Sequence, residues 1–294
     1  MNNTGYYSSH KGHFFISPWI ITLLVFWLFP LLYSFILSFY ATDVIRGTSQ
    51  FVEFQNYARL FNDENFLAAL KNTTIFVIGT IPFTTILALI AAVAINSNIP
   101  LKGLFKTSLV IPSITSMVVM ALIFSHLYAP GGYVGSLMRI FGISPPAKGL
   151  LLSETTALPS IMAMDIIIAF GYYMLLYLAA LQNIPRNLYE AAELDGAGAF
   201  GKFRHVILPH LKPITLFILV INTIRSFQIF VEIFVMTKGG PLNSTLTAVY
   251  FVYDAGFVKF NMGYASAAAY ILFILIAVFA ALQMKVFGSE KGAR

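Results

Sequence analysis

Long apolar runs separated by shorter polar stretches dominate the chain, and their length rather than their periodicity decides what they form. A helix that crosses a bilayer needs about 20 mostly apolar residues. Runs of that size lie near 14–40, 71–95, 107–128, 158–182, 214–237 and 264–286, which predicts six spanning helices. The run 14–40 carries no charge. It is longer than the roughly 7–15 apolar residues of a secretory leader and lacks a small-residue cleavage site, so it reads as a retained helix. No internal repeat or low-complexity tract appears. The expected architecture is all-α and integral to the membrane, with 1–294 forming one transmembrane domain. Neither repeated halves nor helices broken at the midplane are expected.

Composition supports the bilayer as solvent. Of 294 residues, 58% are hydrophobic and 10% charged, with a mean hydropathy of +0.80; a soluble domain averages about 25% charged residues. The absence of cysteine removes disulfides, thiolate metal sites and cysteine nucleophiles. The histidines (His10, His13, His126, His205, His210) are scattered without metal-ligand spacing. A net charge of +6 reads as loop cations of a membrane protein rather than as a nucleic-acid surface. One side of the six-helix scheme carries Lys11, Lys102, Lys106, Arg186, Lys202, Arg204, Lys212, Lys285, Lys291 and Arg294. The other carries Arg46, Arg59, Lys71, Arg139, Lys148, Lys238 and Lys259. The excess on the first side places both termini in the cytoplasm.

The outer loops of that scheme, 41–70, 129–157 and 238–263, suit short surface helices and turns, with turn signals at Ala129-Pro130-Gly131-Gly132-Tyr133 and Lys238-Gly239-Gly240-Pro241. The inner loop 183–213 is richer. Ile184-Pro185-Arg186-Asn187 opens a helix-forming stretch, Leu188-Tyr189-Glu190-Ala191-Ala192-Glu193-Leu194. Asp195-Gly196-Ala197-Gly198 breaks it, glycine supplying the left-handed conformation of a sharp bend. A second amphipathic piece, Ala199 to Ile207, is expected to end at Leu208-Pro209. Ala191 and Ala192 leave room for another protein to approach. An ordinary inner loop is the alternative.

The run Glu190-Ala191-Ala192, Gly196 and Ile207-Leu208-Pro209 resembles the EAA loop of binding-protein-dependent ABC importer permeases, with glycine six after glutamate and isoleucine eleven after glycine. Asn56-Tyr57 with Leu60-Phe61, Asn72-Thr73, Thr237-Lys238-Gly239-Gly240-Pro241 with Thr245, and Gly263-Tyr264-Ala265-Ser266-Ala267-Ala268 extend the likeness to the carbohydrate (maltose-type) branch, over about 18–286. That resemblance implies the ABC importer permease fold in a bacterial plasma (inner) membrane. It implies a second permease subunit, two ABC ATPase subunits that bind ATP and magnesium, and an extracytoplasmic solute-binding protein that delivers sugar. This chain would hold no cofactor or metal and perform no catalysis. The coupling residues would be Glu190, Ala191, Ala192, Gly196, Ile207 and Pro209.

Ionisable groups inside a span are costly and mark functional candidates. Asp165 lies in the fourth run, Arg225 and Glu232 in the fifth. Asn222, Arg225, Ser226 and Glu232 fall at helical offsets that place most of them on one face, bordered by Gln228. Counted along straight helices, Arg225 lies roughly 18 Å from Thr237, and Asp165 roughly 10 Å from Leu158. One reading is an Asp165–Arg225 or Glu232–Arg225 pair that only neutralises itself. The other is a set of donors that replace water around sugar hydroxyls, with Tyr172 and Tyr173 stacking on a sugar ring. By resemblance, Asp165, Tyr172, Asn222, Arg225 and Ser226 fall on sugar-contacting positions. Arginine stands where the family often has an uncharged residue, which leaves open a neutral sugar, a sugar phosphate such as glycerol phosphate, or a local ion pair.

Lesser marks are structural: His126 as an interfacial histidine, Trp19, Trp27, Tyr33 and Tyr40 as interface anchors, and the methionines as gap filling. Asn2-Asn3-Thr4 fits a glycosylation pattern that means nothing on a cytoplasmic tail. No Gly-x-x-x-x-Gly-Lys-Ser/Thr loop is present, so uphill transport would draw its energy from another polypeptide. A proton-coupled secondary transporter using Asp165 or Glu232 is the rival; a membrane hydrolase lacks paired catalytic groups.

Overall fold

A computed structural model describes residues 9–43, 47–97 and 99–288. Arg46, Lys291 and Arg294, counted above for orientation, and Asn2-Asn3-Thr4 lie outside them. In chain order the helices are α1 (Ser9–Thr22), α2 (Phe29–Leu37), α3 (Gln55–Phe61), α4 (Glu64–Asn96), α5 (Lys102–Ile114), α6 (Met117–Leu127), α7 (Tyr133–Ile140), α8 (Ala157–Gln182), α9 (Arg186–Leu194), α10 (Ala199–Lys202), α11 (Leu208–Phe227), α12 (Val231–Met236), α13 (Ala248–Tyr253) and α14 (Met262–Gly288). Two short strands, β1 (Tyr40–Asp43) and β2 (Thr48–Phe51), pair antiparallel with Tyr40 opposite Phe51. Five helical stretches among the described residues are long and apolar enough to span a membrane, and a sixth span exists if the pair α5 and α6 counts as one.

The chain divides into two compact units. The larger, Asp63–Phe251 with the chain from Ile271 onward, is organised around α4 and α8, which pack along their lengths. Asp63 starts α4 by accepting hydrogen bonds from the amides of Asn65 (2.9 Å) and Phe66 (3.3 Å). The second span therefore begins before residue 71. Its buried stripe, Phe66, Ala69, Thr73, Phe76, Val77, Thr80, Ile81, Thr84, Ala88, Ala92 and Ile95, follows helical spacing. The opposite face is equally apolar but exposed, with Ile78, Phe83, Ile86 and Ile90. That is the pattern of a helix with lipid on one side and protein on the other, and it explains why length was more telling than periodicity. At the α5–α8 crossing Gly171 lies against the Leu109 carbonyl, where any β-carbon would collide, and the Ser113 hydroxyl donates to the Ile168 carbonyl at 2.5 Å.

Two expectations fail here. The run 107–128 is not one straight span: α5 and α6 meet at a bend of 99°. Pro112 withholds a backbone donor, and Thr115 leaves the helix in extended conformation. The fifth span is also broken, between Phe227 and Val231. The Ile229 carbonyl released there accepts from the buried Thr247 hydroxyl at 3.3 Å. Irregular backbone buried among apolar helices persists only with partners of this kind. Broken helices are thus present, contrary to the sequence expectation, and counting along a straight helix does not give the depth of Arg225.

The smaller unit joins the first 62 residues to Val252–Tyr270. Between α1 and α2 the helix widens into a π-helical stretch at Leu23–Leu28, and the exposed flank of this span is mostly apolar. In the loop 41–70 the expected short surface helix is α3, and the β1–β2 hairpin, which was not expected, precedes it. Asn56 secures the hairpin, its amide donating to the carbonyls of Ser38 (2.8 Å) and Tyr40 (3.0 Å). Gly263 lets the start of α14 touch the Tyr40 carbonyl, and the Arg59 guanidinium stands 4.6 Å from the Tyr264 ring centre. Asn56, Gly263 and Tyr264 are among the residues that carried the sequence resemblance, and here they brace the chain.

Candidate functional site

Along α8 and α11 a polar level separates two apolar clusters of the larger unit. Phe76, Ile161, Met164, Ile229 and Ile233 belong to one cluster; Ala88, Tyr177, Leu181, Val206 and Ile218 belong to the other. Between them the Arg225 guanidinium grips the Asp165 carboxylate with both terminal nitrogens, Nη2 to Oδ1 at 2.5 Å and Nη1 to Oδ2 at 3.4 Å. Asp165 is buried, whereas the Arg225 side chain keeps 35% of its surface exposed. Of the two pairings open from sequence, the structure forms Asp165–Arg225.

A cavity of about 420 Å³ opens on one side of this pair, lined among others by Asp165, Arg225, Ser226, Gln228, Phe230 and Glu232. A second, of about 300 Å³, lies on another side, lined by Ser113, Thr115, Ile168, Tyr172, Tyr173 and Arg225 among others. Arg225 lines both. Both helix breaks feed this region: the bend after α5 contributes Thr115, the interruption before α12 contributes Gln228 and Phe230, and the first turn of α12 contributes Glu232. Glu232 reaches the cavity because the helix breaks, not through a common helical face with Asn222.

The five candidate contacts are brought to one level but differ in access. Tyr172 is 50% exposed, and its ring meets that of buried Tyr173 edge-on at 5.3 Å. Asn222 is wholly buried. Its Oδ1 accepts from the Tyr173 hydroxyl (3.3 Å) and the Ser226 hydroxyl (3.4 Å), while its Nδ2 is unpartnered among the described residues. Ser226 lies 3.5 Å from the Thr80 hydroxyl of α4. Arg225 and Tyr172 are therefore the open members, and Asp165, Asn222 and Ser226 stand behind them. Thr115 and Phe230 escaped sequence reasoning. The cluster Pro112-Ser113-Ile114-Thr115-Ser116 was a signal for the first, and nothing local marked the second.

The inner loop forms two helices, as expected. Helix α9 closes in a Schellman turn: the Ala197 amide donates to the Ala192 carbonyl (2.8 Å) and the Gly196 amide to Glu193 (3.0 Å), with Gly196 at φ +77°. Leu188, Tyr189, Ala192 and Ile207 pack towards the apolar cluster of Ile184 and Val206. The Tyr189 hydroxyl is buried without a hydrogen-bond partner among the described residues, and burial pushes its phenol above the ordinary range. Glu190 and Ala191 face outward. Beside the bend, Leu194 and Phe200 stand 90% and 74% exposed, a pair that sequence reading did not single out. Lys202 pairs with Glu193 at 2.6 Å across the bend. One detail differs from expectation: the second helix does not stop at Pro209 but runs on into α11. A π-helical stretch, Phe203–Ile207, with the Leu208 amide bonded back to Phe203, absorbs the missing donor of Pro209.

The remaining motif residues fasten the loop 238–247 to α4. The Asn72 amide donates to the carbonyls of Asn243 (2.8 Å) and Leu246 (3.0 Å), and the Thr73 hydroxyl accepts from the Ala248 amide (2.9 Å). The Thr245 hydroxyl reaches the Gly240 carbonyl at 2.6 Å.

The chain matches a family model described as binding-protein-dependent transport system inner membrane component over residues 84–289. It is 36% identical over 290 residues to the lactose transport system permease protein LacF of Rhizobium radiobacter, covering 94% of each chain. It is 31% identical to the sn-glycerol-3-phosphate transport system permease protein UgpA of Agrobacterium fabrum, covering 92% of each. Its fold matches a chain of a bacterial alginate ABC transporter, crystallised with an alginate pentasaccharide-bound periplasmic protein, at a TM-score of 0.81 and 22% identity over 96% of both chains. The chain belongs to the family of inner membrane components of binding-protein-dependent transport systems, a non-catalytic, multi-pass permease subunit of an ABC importer.

Proposed function

We propose that this chain carries sugar across a bacterial plasma membrane as one of two permease subunits, with both termini in the cytoplasm. The observation that carries the reading is the cavity at Asp165 and Arg225, placed where two helices break and walled by hydroxyl, amide and aromatic groups. Such groups exchange hydrogen bonds with sugar hydroxyls, and Tyr172 offers a ring face to a pyranose. The relatives named for lactose and for glycerol phosphate agree with a saccharide or its phosphate.

Transport then runs in three steps. Two partner ATPases, which hold ATP and magnesium, close and push the helix pair at 186–207, with Glu190, Ala191, Ala192 and Gly196 at the contact and Ile207 and Pro209 passing the motion into α11. The cavity opens towards a docked solute-binding protein, and sugar enters. Hydrolysis returns the cavity to the cytoplasmic side. Both sites bias one two-state element, which is what coupling requires. No cofactor resides in this chain. Proteoliposomes holding the assembled importer test the reading: sugar uptake should need ATP and the binding protein together, and uptake driven by a proton gradient alone would sink it.

A further inference from the structure

Building on the sugar-import reading, we infer that this chain's part of the cavity is made for an uncharged saccharide and disfavours phosphorylated and uronic sugars. The ground is a count of charges at one place. Among the described residues lining the two cavities, Arg225 is the only cation, and Asp165 and Glu232 are the only acids. The guanidinium is engaged by both oxygens of a buried carboxylate. Glu232, also buried, lines the same cavity and lies within electrostatic reach of both Asp165 and Arg225. With Glu232 protonated the three groups sum to zero; with Glu232 ionised they sum to −1. In neither state is there positive charge to spare.

An anion that took Arg225 would strip Asp165 of its counter-ion inside a low-dielectric site and set two negative charges side by side. A neutral sugar meets no such conflict. The guanidinium hydrogens not used on Asp165 and the Gln228 amide suit uncharged oxygens, and Tyr172 supplies an apolar plate. Arg225 and Asp165 thus act as a specificity pair: each makes the other tolerable, and together they leave a polar but not cationic wall.

The test is calorimetric titration of the purified importer in nanodiscs, with ATPase stimulation in parallel. The probes are neutral mono-, di- and trisaccharides including lactose, set against sn-glycerol 3-phosphate, glucose 6-phosphate and an oligouronate. The wild type should bind at least one neutral probe about tenfold or more tighter than any anionic one. Asp165→Asn, which removes the carboxylate that grips the guanidinium, should shrink that ratio about tenfold or more, and adding Arg225→Gln should remove the gain in anion binding. Wild-type importer that binds an anionic probe as tightly as any neutral one, and loses it in Arg225→Gln, overturns the assignment. The wild-type ratio decides even where Asp165→Asn fails to fold. If no probe of either charge binds or stimulates, the sugar-import reading itself fails and the charge assignment falls with it.

Discussion

At the scale of single residues, the Asp165–Arg225 pair commits a buried carboxylate to a guanidinium on a neighbouring helix. Removing one partner of a buried pair costs about 3–5 kcal/mol, because the other charge stays behind. Arg225 keeps a third of its surface open, so water screens part of that loss. Asp165→Ala should destabilise the purified permease by about 2–3 kcal/mol, and Asp165→Ala/Arg225→Met by less than the single change, read as thermal unfolding in one detergent. A double variant less stable than Asp165→Ala would show that the pair is not the reason. Tyr173→Phe removes the 3.3 Å bond to Asn222 together with the hydroxyl's interaction with Arg225, and should cost about 1 kcal/mol, within the range for side-chain bonds between membrane helices. The charged residues of this site were legible in sequence because a charge inside an apolar run stands out. Their ranking was not: whether Asn222 faces a ligand or a neighbouring helix depends on Tyr173, forty-nine positions away.

At the scale of elements, the spans were legible and their breaks only partly so. Apolar runs of about twenty residues announce themselves by length. The bend after α5 had a local signal in Pro112 and the Ser/Thr cluster that follows it. The break before α12 had none: Gln228, Ile229 and Phe230 include no proline or glycine, and the interruption rests on a hydroxyl from Thr247, far along the chain. The hairpin at 40–51 was invisible for a like reason, since Asn56 and Gly263 fix it from other segments. Two glycines give opposite tests. At Gly171 a β-carbon would strike the Leu109 carbonyl, so Gly171→Ala must push α5 from α8 and cost about 1–3 kcal/mol, lowering the yield of folded protein. At Gly196 a β-carbon meets nothing within 4 Å, and the only penalty is its φ of +77°. Gly196→Ala should therefore cost about 1–2 kcal/mol, confined to the bend. The protein should fold at normal yield while binding-protein-stimulated ATP hydrolysis falls, and full stimulation would separate the bend from coupling.

At the scale of the whole molecule, two of the apolar surfaces left bare differ in kind. The flank of α1 and α2 is apolar from Phe15 to Ile36, continuous enough for lipid or another membrane helix. Leu194 and Phe200 are instead two isolated apolar side chains on a polar, solvent-facing helix pair, on either side of a rigid turn. Single exposed apolar residues are common and mean little. On the importer reading proposed above, two of them flanking the residues that resemble a coupling loop form a knob for a cleft on the ATPase partner. Leu194→Glu and Phe200→Glu touch no buried neighbour, so each should leave the permease pair intact on size exclusion. Each should weaken retention of the ATPase subunits about tenfold or more, since a charge would enter a desolvated contact. Glu193→Lys, which breaks only an exposed ion pair worth at most about 1 kcal/mol, should change retention far less. Equal loss in all three variants would make the effect one of charge at the surface. Loss confined to Leu194→Glu and Phe200→Glu would make those two apolar side chains the part of this chain that the ATPase grips.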